Sequence, residues 1–372
     1  MAVLQVSQKE CDVLVNKLIT NLVNIKDETG QFLMEIPGGR IIDTKGWITG
    51  WEWTHGIGLY GIWNYYDLKN DPKFLQHIYD WFEAQMFGPD GSTLKNINTM
   101  AVFLPLAYVI ERFPQTSHKY IPYVDAWAEW AMYDLQKTKC GGFQHATYLT
   151  DNNEQMWDDT LMMTVMPLAK IGLLLDRPHY LEEAKKQMLL HIKYLVGTKT
   201  GLFFHGFTFD GNHHFAEALW ARGNSWITMV IPEFIELLKL KPGEFLREFL
   251  LETLRAQVEA LVELQDKELG LWHTLLDDPD SYLESSASAG FAYGILKAVR
   301  RGYLNKKYRN CAEKAISGVI SHIDNNGELQ NTSFGTGMGD TLQFYRDIPL
   351  TAMPYGQAMA IMALGEYSRL HL

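Results

Sequence analysis

Two adjacent aspartates are the clearest candidates for acid–base chemistry in this sequence. Asp158 and Asp159 lie in the segment EQMWDDTLMMTV (154–165), between a tryptophan and the start of an apolar helical pattern. A carboxyl group in such a place can act as a general acid or base, but an aspartate at a helix start also caps free N–H groups and complements the helix dipole. Adjacent helical positions diverge by about 100°, so only one aspartate can face a ligand well. The pattern leaves both interpretations open for each residue.

Three histidines recur in similar loop phrases. His145 lies in GGFQHATY, His205 in GLFFHGFT and His273 in GLWHTLLD. Each is either a turn histidine that bonds a carbonyl group or a contact at the mouth of a site. The sequence has no HxxxH or HExxH motif, and its acids are not grouped with histidines at ligand spacing, so we expect no metal site.

Aromatic and polar residues also recur where helices are expected to begin. Arg222 lies between Trp220 and Trp226 in WARGNSW, and Trp53 and His55 lie in WEWTHGIGLYG. A guanidinium between two indoles is either a packed structural cation or the bidentate partner of a ligand carboxylate. An excess of aromatic residues is typical of cores and of sites that stack sugar rings.

Nothing in the sequence indicates a cofactor. GxSxG, the P-loop and the dinucleotide GxGxxG are absent in the required context. FGTGMGDT (334–341) is rich in glycine but follows no predicted strand. We therefore expect this segment, which includes Thr336, to be a loop whose backbone closes on a ligand.

Charge and composition narrow the possible partners. The formal net charge of the 372 residues is −11, which argues against nucleic acid or an anionic membrane. The cysteines at 11, 140 and 311 are an odd number, far apart, and predict no disulfide framework. The first residues, MAVLQVSQKECDVLV, do not resemble a secretory signal, and we expect a cytoplasmic protein.

Apolar residues at spacings of three and four predict about twelve helices and almost no strand. The predicted helices cover 5–26, 56–68, 72–86, 98–112, 118–136, 158–175, 179–195, 223–239, 243–264, 285–300, 305–323 and 353–369.

The connections between these helices alternate in length. Short links with Pro or Gly, such as LKNDPK and LKLKPGE, alternate with long links rich in Gly, His, Trp and Asp. Long loops are usually functional, and the loop phrases repeat about 55 to 70 residues apart, as in folds built by stacking one unit. We therefore predict an all-α, single-domain (α/α)6 toroid over residues 1–372, a six-hairpin barrel with the long loops at its mouth.

The order of three segments resembles one enzyme family. QMWDDTLMM, GLFFHGF followed by WARGNSW, and GLWHTLLDDPDSYLESSASAGFAYGI are similar to the unsaturated rhamnogalacturonyl hydrolases of glycoside hydrolase family 105. They are more distantly similar to the unsaturated glucuronyl hydrolases. The resemblance runs from about residue 45 to the C-terminus, and its order and spacing carry it rather than any single motif.

The resemblance implies a hydrolase of pectin fragments. Such enzymes remove the 4,5-unsaturated uronic acid that lyases leave at the non-reducing end of an oligosaccharide. They hydrate the vinyl ether double bond instead of attacking the anomeric carbon, and one carboxyl group protonates C4 and helps water to add at C5. This role suits general acid catalysis, since a positioned acid readily protonates an enol ether.

The family pattern also implies roles for single residues. The aspartate of QMWxD falls on Asp159, which leaves Asp158 as a cap or first-turn residue. Several family members have a second aspartate at the fourth helix, where this chain has LKNINTM, so Asn96 or Asn98 takes its place. An asparagine cannot act as an acid, which argues against a two-carboxylate inverting mechanism. The substrate contacts implied are Trp53, His55, Asn96, His145, Arg222, Trp226 and Thr336.

The residues leave further functions open at this level. A sugar epimerase or isomerase on the same toroid would use paired histidines, for which His205 and His273 are the candidates. An unsaturated glucuronyl hydrolase of glycosaminoglycan or ulvan fragments and a non-catalytic sugar-binding toroid also fit the pattern. In each case the expected partner is a small oligosaccharide or sugar, and we expect a monomer or a weak homodimer.

Overall fold

The computed structural model describes residues 6–370, and helices dominate them. The α-helices are α1 (Gln8–Asn24), α2 (Trp53–Lys69), α3 (Pro72–Phe87), α4 (Phe103–Arg112), α5 (Pro114–Ser117), α6 (Ile121–Glu129), α7 (Met166–Leu174), α8 (Pro178–Leu195), α9 (Ala221–Leu237), α10 (Phe245–Leu264), α11 (Ser285–Arg300), α12 (Arg309–Ser321), α13 (Leu342–Arg346) and α14 (Pro354–Arg369). Tighter or wider helical turns extend several of them at Thr99–Val102, His118–Tyr120, Trp130–Asp134, Leu161–Val165 and Lys306–Tyr308.

The predicted all-α fold class is confirmed, and all twelve predicted helices are present. Their ends differ from the predicted ones by only a few residues, the usual uncertainty at helix termini. Residue 5, where the first helix was predicted to begin, lies outside the described residues. The short helices α5 and α13 lie in loops that the apolar pattern left unassigned.

The long loops contain short strands that the sequence pattern did not predict. These are β1 (Leu33–Glu35), β2 (Ile41–Asp43), β3 (Gln155–Trp157), β4 (Gly206–Thr208), β5 (Trp272–His273) and β6 (Leu283–Glu284). β1 pairs antiparallel with β2 in the register Met34 to Ile42, and β5 pairs antiparallel with β6. Strands of two or three residues are too short for alternation to be seen in a sequence.

Close contacts divide the chain into two compact units. We call Val23–Tyr194 with Phe207–His213 the N-terminal unit. Among the described residues, the C-terminal unit comprises 6–22, Leu195–Gly206 and 214–370. That residues 1–372 form one toroidal catalytic domain stays a prediction.

In the N-terminal unit, α2 is buried on nearly every face. It packs against α3 and against the Thr99–Val102 turn that precedes α4. Gly56 allows this approach, because a Cβ atom there would lie 2.6 Å from the Cβ atom of Ala101. The start of α2 is therefore held tightly against the loop that leads into α4.

In the C-terminal unit, α11 packs against α9, α12 and α14. Every residue from Ser285 to Val299 of α11 is buried, whereas α10 buries a stripe that includes Leu250, Leu254, Val258 and Leu261. Small residues allow the close packing, since a Cβ atom on Gly294 would lie 2.3 Å from the carbonyl oxygen of Thr228. Helices buried on nearly all faces thus alternate with helices buried on one face.

No helix within residues 6–370 is long and apolar enough to cross a membrane.

Candidate active site

The two aspartates lie where β3 ends and a helical turn begins. Asp158 is fully buried and Asp159 is 8% exposed. The carbonyl oxygen of Asp158 accepts the N–H of Leu161 at 3.2 Å, which starts the turn that leads into α7. Asp158 therefore stands at the helix start, where a capping residue was expected, and the catalytic role of Asp159 stays a prediction.

His145 is fixed beside this pair, in the same unit. Its imidazole stacks on the indole of Trp157, with ring centroids 4.1 Å apart and planes 9° from parallel. Its Nδ1 atom lies 2.9 Å from the hydroxyl of Thr160, and its backbone N–H bonds the carbonyl of Gln155 at 3.0 Å. The structure thus brings His145 to the residues on either side of the two aspartates.

The start of α2 holds a buried carboxyl group that the sequence analysis passed over. Glu52 is 3% exposed, its Oε2 atom accepts the N–H of Trp53 at 2.8 Å, and the side chain of Asn98 bonds the same carboxyl group. Burial raises the pKa of Glu52 to about 7, although these two hydrogen bonds act in the opposite direction. Trp53 itself is half-buried. The signal available in the sequence was an acid between two tryptophans at a predicted helix start.

His55 lies in the core and offers no ring nitrogen to a ligand. It is fully buried, its Nδ1 atom lies 3.1 Å from the Thr54 hydroxyl, and its Nε2 atom lies 3.0 Å from the Gly46 carbonyl. Burial lowers its pKa to about 4, against the smaller effects of the Gly46 bond and the Asp43 charge. The ring is therefore neutral near pH 7 and holds the 46–54 segment in place. This geometry argues against the predicted substrate contact.

Asn96 and Asn98 play different parts in the loop before α4. The Oδ1 atom of Asn96 accepts the N–H groups of Asn98 at 2.8 Å and Thr99 at 3.0 Å, and the residue is 3% exposed. This is the arrangement of an asparagine that forms a turn. Asn98 is half-buried and bonds Glu52, so its amide is more accessible to a ligand than that of Asn96.

In the C-terminal unit, Arg222 is used for internal hydrogen bonds. It is fully buried. Its Nη1 atom donates to the carbonyl and hydroxyl oxygens of Ser333, the first at 3.1 Å, and its Nη2 atom donates to the Phe334 carbonyl at 3.0 Å and the Thr336 hydroxyl at 2.9 Å. Arg222 thus holds the half-buried Thr336 and its loop.

The faces of the Arg222 guanidinium are also covered. The ring centroids of Trp220 and Tyr355 lie 4.7 Å and 4.8 Å from its central carbon atom. The carboxylate of Glu284 is 3.7 Å away and accepts the backbone N–H of Ser333 at 2.8 Å. These contacts match the packed structural cation, one of the two expected roles, although Tyr355 takes the place expected for Trp226. Trp226 is fully buried within α9.

The two remaining loop histidines each have a hydrogen-bond partner in the C-terminal unit. His205 lies with Nδ1 2.8 Å from the hydroxyl of Tyr345, and its ring centroid is 4.3 Å from that of Trp220. The Nδ1 atom of His273 bonds the carbonyl oxygen of Ser281 in the turn between β5 and β6. Tyr345 and Ser281 both belong to the C-terminal unit, and His273 is a turn histidine, one of the two roles expected for it.

Comparisons with known proteins agree with this picture. The profile of Glycosyl Hydrolase Family 88 matches residues 24–371. The unsaturated rhamnogalacturonyl hydrolase YesR of Bacillus subtilis (strain 168) is 29% identical over 325 residues, which cover 85% of this chain and 89% of that protein. The unsaturated 3S-rhamnoglycuronyl hydrolase of Alteromonas sp. (strain LOR) is 30% identical over 178 residues, which cover 46% of this chain and 42% of that protein.

A solved structure shares the fold along the whole chain. It is described as a possible member of GH105 family from Salmonella enterica subsp. enterica serovar Paratyphi A. The TM-score is 0.96 at 56% identity, covering 100% of this chain and 97% of that one. The fold expected from the sequence resemblance is therefore confirmed.

Proposed function

This chain belongs to glycosyl hydrolase family 88, and from this premise we propose that it removes a 4,5-unsaturated uronic acid of the galacturonyl type from the non-reducing end of lyase-generated oligosaccharides. The protein is a glycosidase, and oligosaccharides with an unsaturated uronic acid are its substrate class. Similarity to the rhamnogalacturonyl enzyme over 85% of the chain supports the galacturonyl preference and a role in pectin degradation. Similarity to the rhamnoglycuronyl enzyme is limited to 46% of the chain.

The buried Asp159, two residues after the indole on which His145 is stacked, carries this proposal. A buried carboxyl group has few positions available, and preorganisation of this kind favours catalysis. We assign proton transfer to Asp159 and leave Asp158 at the helix start.

In the proposed reaction, Asp159 donates a proton to C4 of the vinyl ether, and the ring oxygen stabilises the cation at C5. Water then adds to C5 and returns a proton to the Asp159 carboxylate. The hemiketal opens by cleavage of the bond between C5 and the ring oxygen, which gives a ketone at C5 and a hemiacetal at C1. The C1–O bond of the hemiacetal then breaks, the aglycone leaves as an alcohol with the proton of the C1 hydroxyl, and C1 becomes an aldehyde; Asp159 is already protonated again for the next turnover.

Substrate contacts follow from accessibility. We propose that the half-buried Trp53 stacks on the uronate ring and that the Asn98 amide binds a sugar hydroxyl group. Thr336 also stays a proposed substrate contact. Arg222 acts by holding Thr336, since its Nη1 and Nη2 atoms already donate to protein oxygens. His145 is proposed to support the ring of Trp157, and the roles of Asn96, His55 and Trp226 are proposed to be structural.

The test replaces one carboxyl group at a time. Asp159→Asn keeps the size of the side chain but cannot donate the proton, so we expect kcat to fall by about two to four orders of magnitude. Asp158→Asn is the matched control and should keep most of the activity. Turnover is measured as loss of the ultraviolet absorbance of the conjugated double bond, with unsaturated disaccharides from rhamnogalacturonan, ulvan and glycosaminoglycans.

Two outcomes would contradict the proposal. Full activity in Asp159→Asn would rule out that residue as the acid, and faster decay with a glycosaminoglycan or ulvan disaccharide would move the preference to the glucuronyl type. The sequence-based epimerase hypothesis gains no support, because His205 and His273 are oriented by separate bonds to Tyr345 and Ser281. A cytoplasmic location and a monomeric or weakly dimeric state stay predictions from the sequence.

A further inference from the structure

Glu52 is buried without a salt bridge among the described residues. Its side chain is almost completely inaccessible, and its hydrogen bonds come from the backbone N–H of Trp53 and from the side chain of Asn98. Both donors are neutral. A buried carboxyl group of this kind is costly, because burial disfavours its charged form.

Capping of α2 does not by itself account for Glu52. Efficient caps are short side chains such as Asp, Asn, Ser and Thr, which accept from the second or third N–H of the helix. In the same unit Asp71 caps α3 in this way, accepting the N–H of Lys73 from an exposed position. Glu52 instead accepts from the first helical residue and reaches across to a side chain of another segment.

The bond between Glu52 and Asn98 joins the start of α2, which carries Trp53, to the loop before α4, which carries Asn98. Both residues are proposed sugar contacts. When the Asn98 amide nitrogen donates to the carboxylate, the Oδ1 atom of the same planar amide group can still accept a hydrogen bond. The same carboxylate ties down the backbone of Trp53 at 2.8 Å, which fixes the base of the indole.

We propose that Glu52 is a positioning residue of the active site, which orients the Asn98 amide and the Trp53 indole toward the uronate. This inference rests on the proposed function. Glu52 touches neither the substrate nor the reacting atoms. It acts through Asn98 and Trp53, and its removal therefore weakens substrate binding more than the chemical step.

The experiment is a double-mutant cycle on the substrate that the absorbance screen selects. Glu52→Ala is expected to raise KM by about tenfold with kcat reduced less than about threefold, the size of one lost binding hydrogen bond. Glu52→Gln keeps an acceptor oxygen and should restore KM to within about threefold of the original enzyme. Because Glu52 acts in part through Asn98, the Glu52→Ala/Asn98→Ala double variant should raise KM by less than the product of the two single effects.

Asp71→Ala is the matched control for loss of a helix cap. It should lower the melting temperature and leave KM unchanged. An unchanged KM in Glu52→Ala, or additive effects of Glu52 and Asn98 replacements, would overturn the inference. If Glu52→Ala does not fold, Glu52→Met, which fills the same space without an acceptor oxygen, takes its place in the cycle with Asn98→Ala. A wild-type enzyme that leaves all the disaccharides intact would refute the proposed function, whereas an active enzyme with additive variants refutes only the role of Glu52.

Discussion

At the start of α2, Glu52 and His55 are buried with no salt bridge to any residue in 6–370, whereas Lys297 near the end of α11 is buried between two carboxylates. The Nζ atom of Lys297 lies 2.7 Å from Glu233 and 2.7 Å from Glu236, and the Lys297 and Glu233 side chains are 8% and 5% exposed. Burial alone would lower the pKa of Lys297, but these two carboxylates outweigh it and raise the pKa above its usual value. We call these three residues the Lys297 network.

The two regions differ in whether the charged or the neutral form of the buried side chains is favoured. In the Lys297 network the two carboxylates favour the charged form of Lys297, and the ion pairs tie α9 to α11. At the α2 start, burial raises the pKa of Glu52 and lowers that of His55, so both neutral forms are favoured. Paired buried charges therefore serve the fold. Glu52, which is buried without a salt bridge, changes protonation near neutral pH and marks a candidate functional region, whereas His55 is neutral there.

Removing the cation should have the largest effect on the Lys297 network. Lys297→Met leaves two carboxylates without their shared partner, and we expect the free energy of unfolding to fall by about 3 to 5 kcal/mol. Urea unfolding at neutral pH measures this loss. Lys307→Met is the control, because that side chain is 65% exposed and its replacement should change stability by less than about 0.5 kcal/mol. Equal stabilities for the two variants would contradict the distinction between the regions.

The α2 start should respond to pH with two opposing contributions. The folded-state pKa of His55 is about 4, below its ordinary value of 6.5, so its contribution to stability is complete above pH 6.5 and is lost as the pH falls toward 4. The folded-state pKa of Glu52 is about 7, above its ordinary value of 4.5, so its contribution is complete below pH 4.5 and is lost as the pH rises toward 7. Between about pH 4.5 and 6.5 the two contributions to the free energy of unfolding change with pH in opposite directions and nearly cancel.

Replacing one of the two groups should reveal how the other makes the free energy of unfolding depend on pH. Relative to the wild type, Glu52→Gln should make the free energy of unfolding increase with pH between about 4.5 and 6.5, by up to about 1.4 kcal/mol per pH unit. His55→Gln should make it decrease over the same range. Urea unfolding at several pH values measures both slopes, and His118→Gln, at an exposed ring, should change neither. Parallel pH profiles for all variants would show that the two groups are not shifted as described.

Arg222 shares a feature with each of these two regions. It is a buried cation, like Lys297, but its hydrogen bonds go mostly to neutral oxygens. Arg222→Lys keeps the charge near Glu284 but cannot hold Phe334 and Thr336 with a planar fork. We expect a loss of about 1 to 2 kcal/mol in the free energy of unfolding and a fall in kcat/KM of about tenfold. Denaturant unfolding and steady-state kinetics measure the two effects.

Thr336→Val provides the matched comparison. If Arg222 acts through Thr336, the double variant should lose little more activity than Arg222→Lys alone. A fall of several hundredfold in Arg222→Lys with Thr336→Val unaffected would instead indicate direct contact of Arg222 with the substrate carboxylate.

The sequence predicted local features well and the use of polar side chains less well. The twelve helices and the position of Asp158 and Asp159 at a helix start followed from spacing, because apolar periodicity and helix starts are properties of short segments. The role of Glu52 did not follow from spacing, because its partner Asn98 lies in a separate segment. His55 was expected at a ligand and lies in the core, since its bonds to Thr54 and Gly46 decide its place.

The sequence by itself determined the order of the helices, the positions of the long loops and, through resemblance, the family, while the catalytic role of Asp159 stays a prediction. These depend on residue type and spacing along the chain. Only the tertiary structure decided which polar groups have their hydrogen bonds satisfied within the protein and which are presented to a ligand. The partners of Arg222 are 111 to 114 positions away, and no local pattern specifies a hydrogen bond between segments so far apart, because the fold as a whole brings them together.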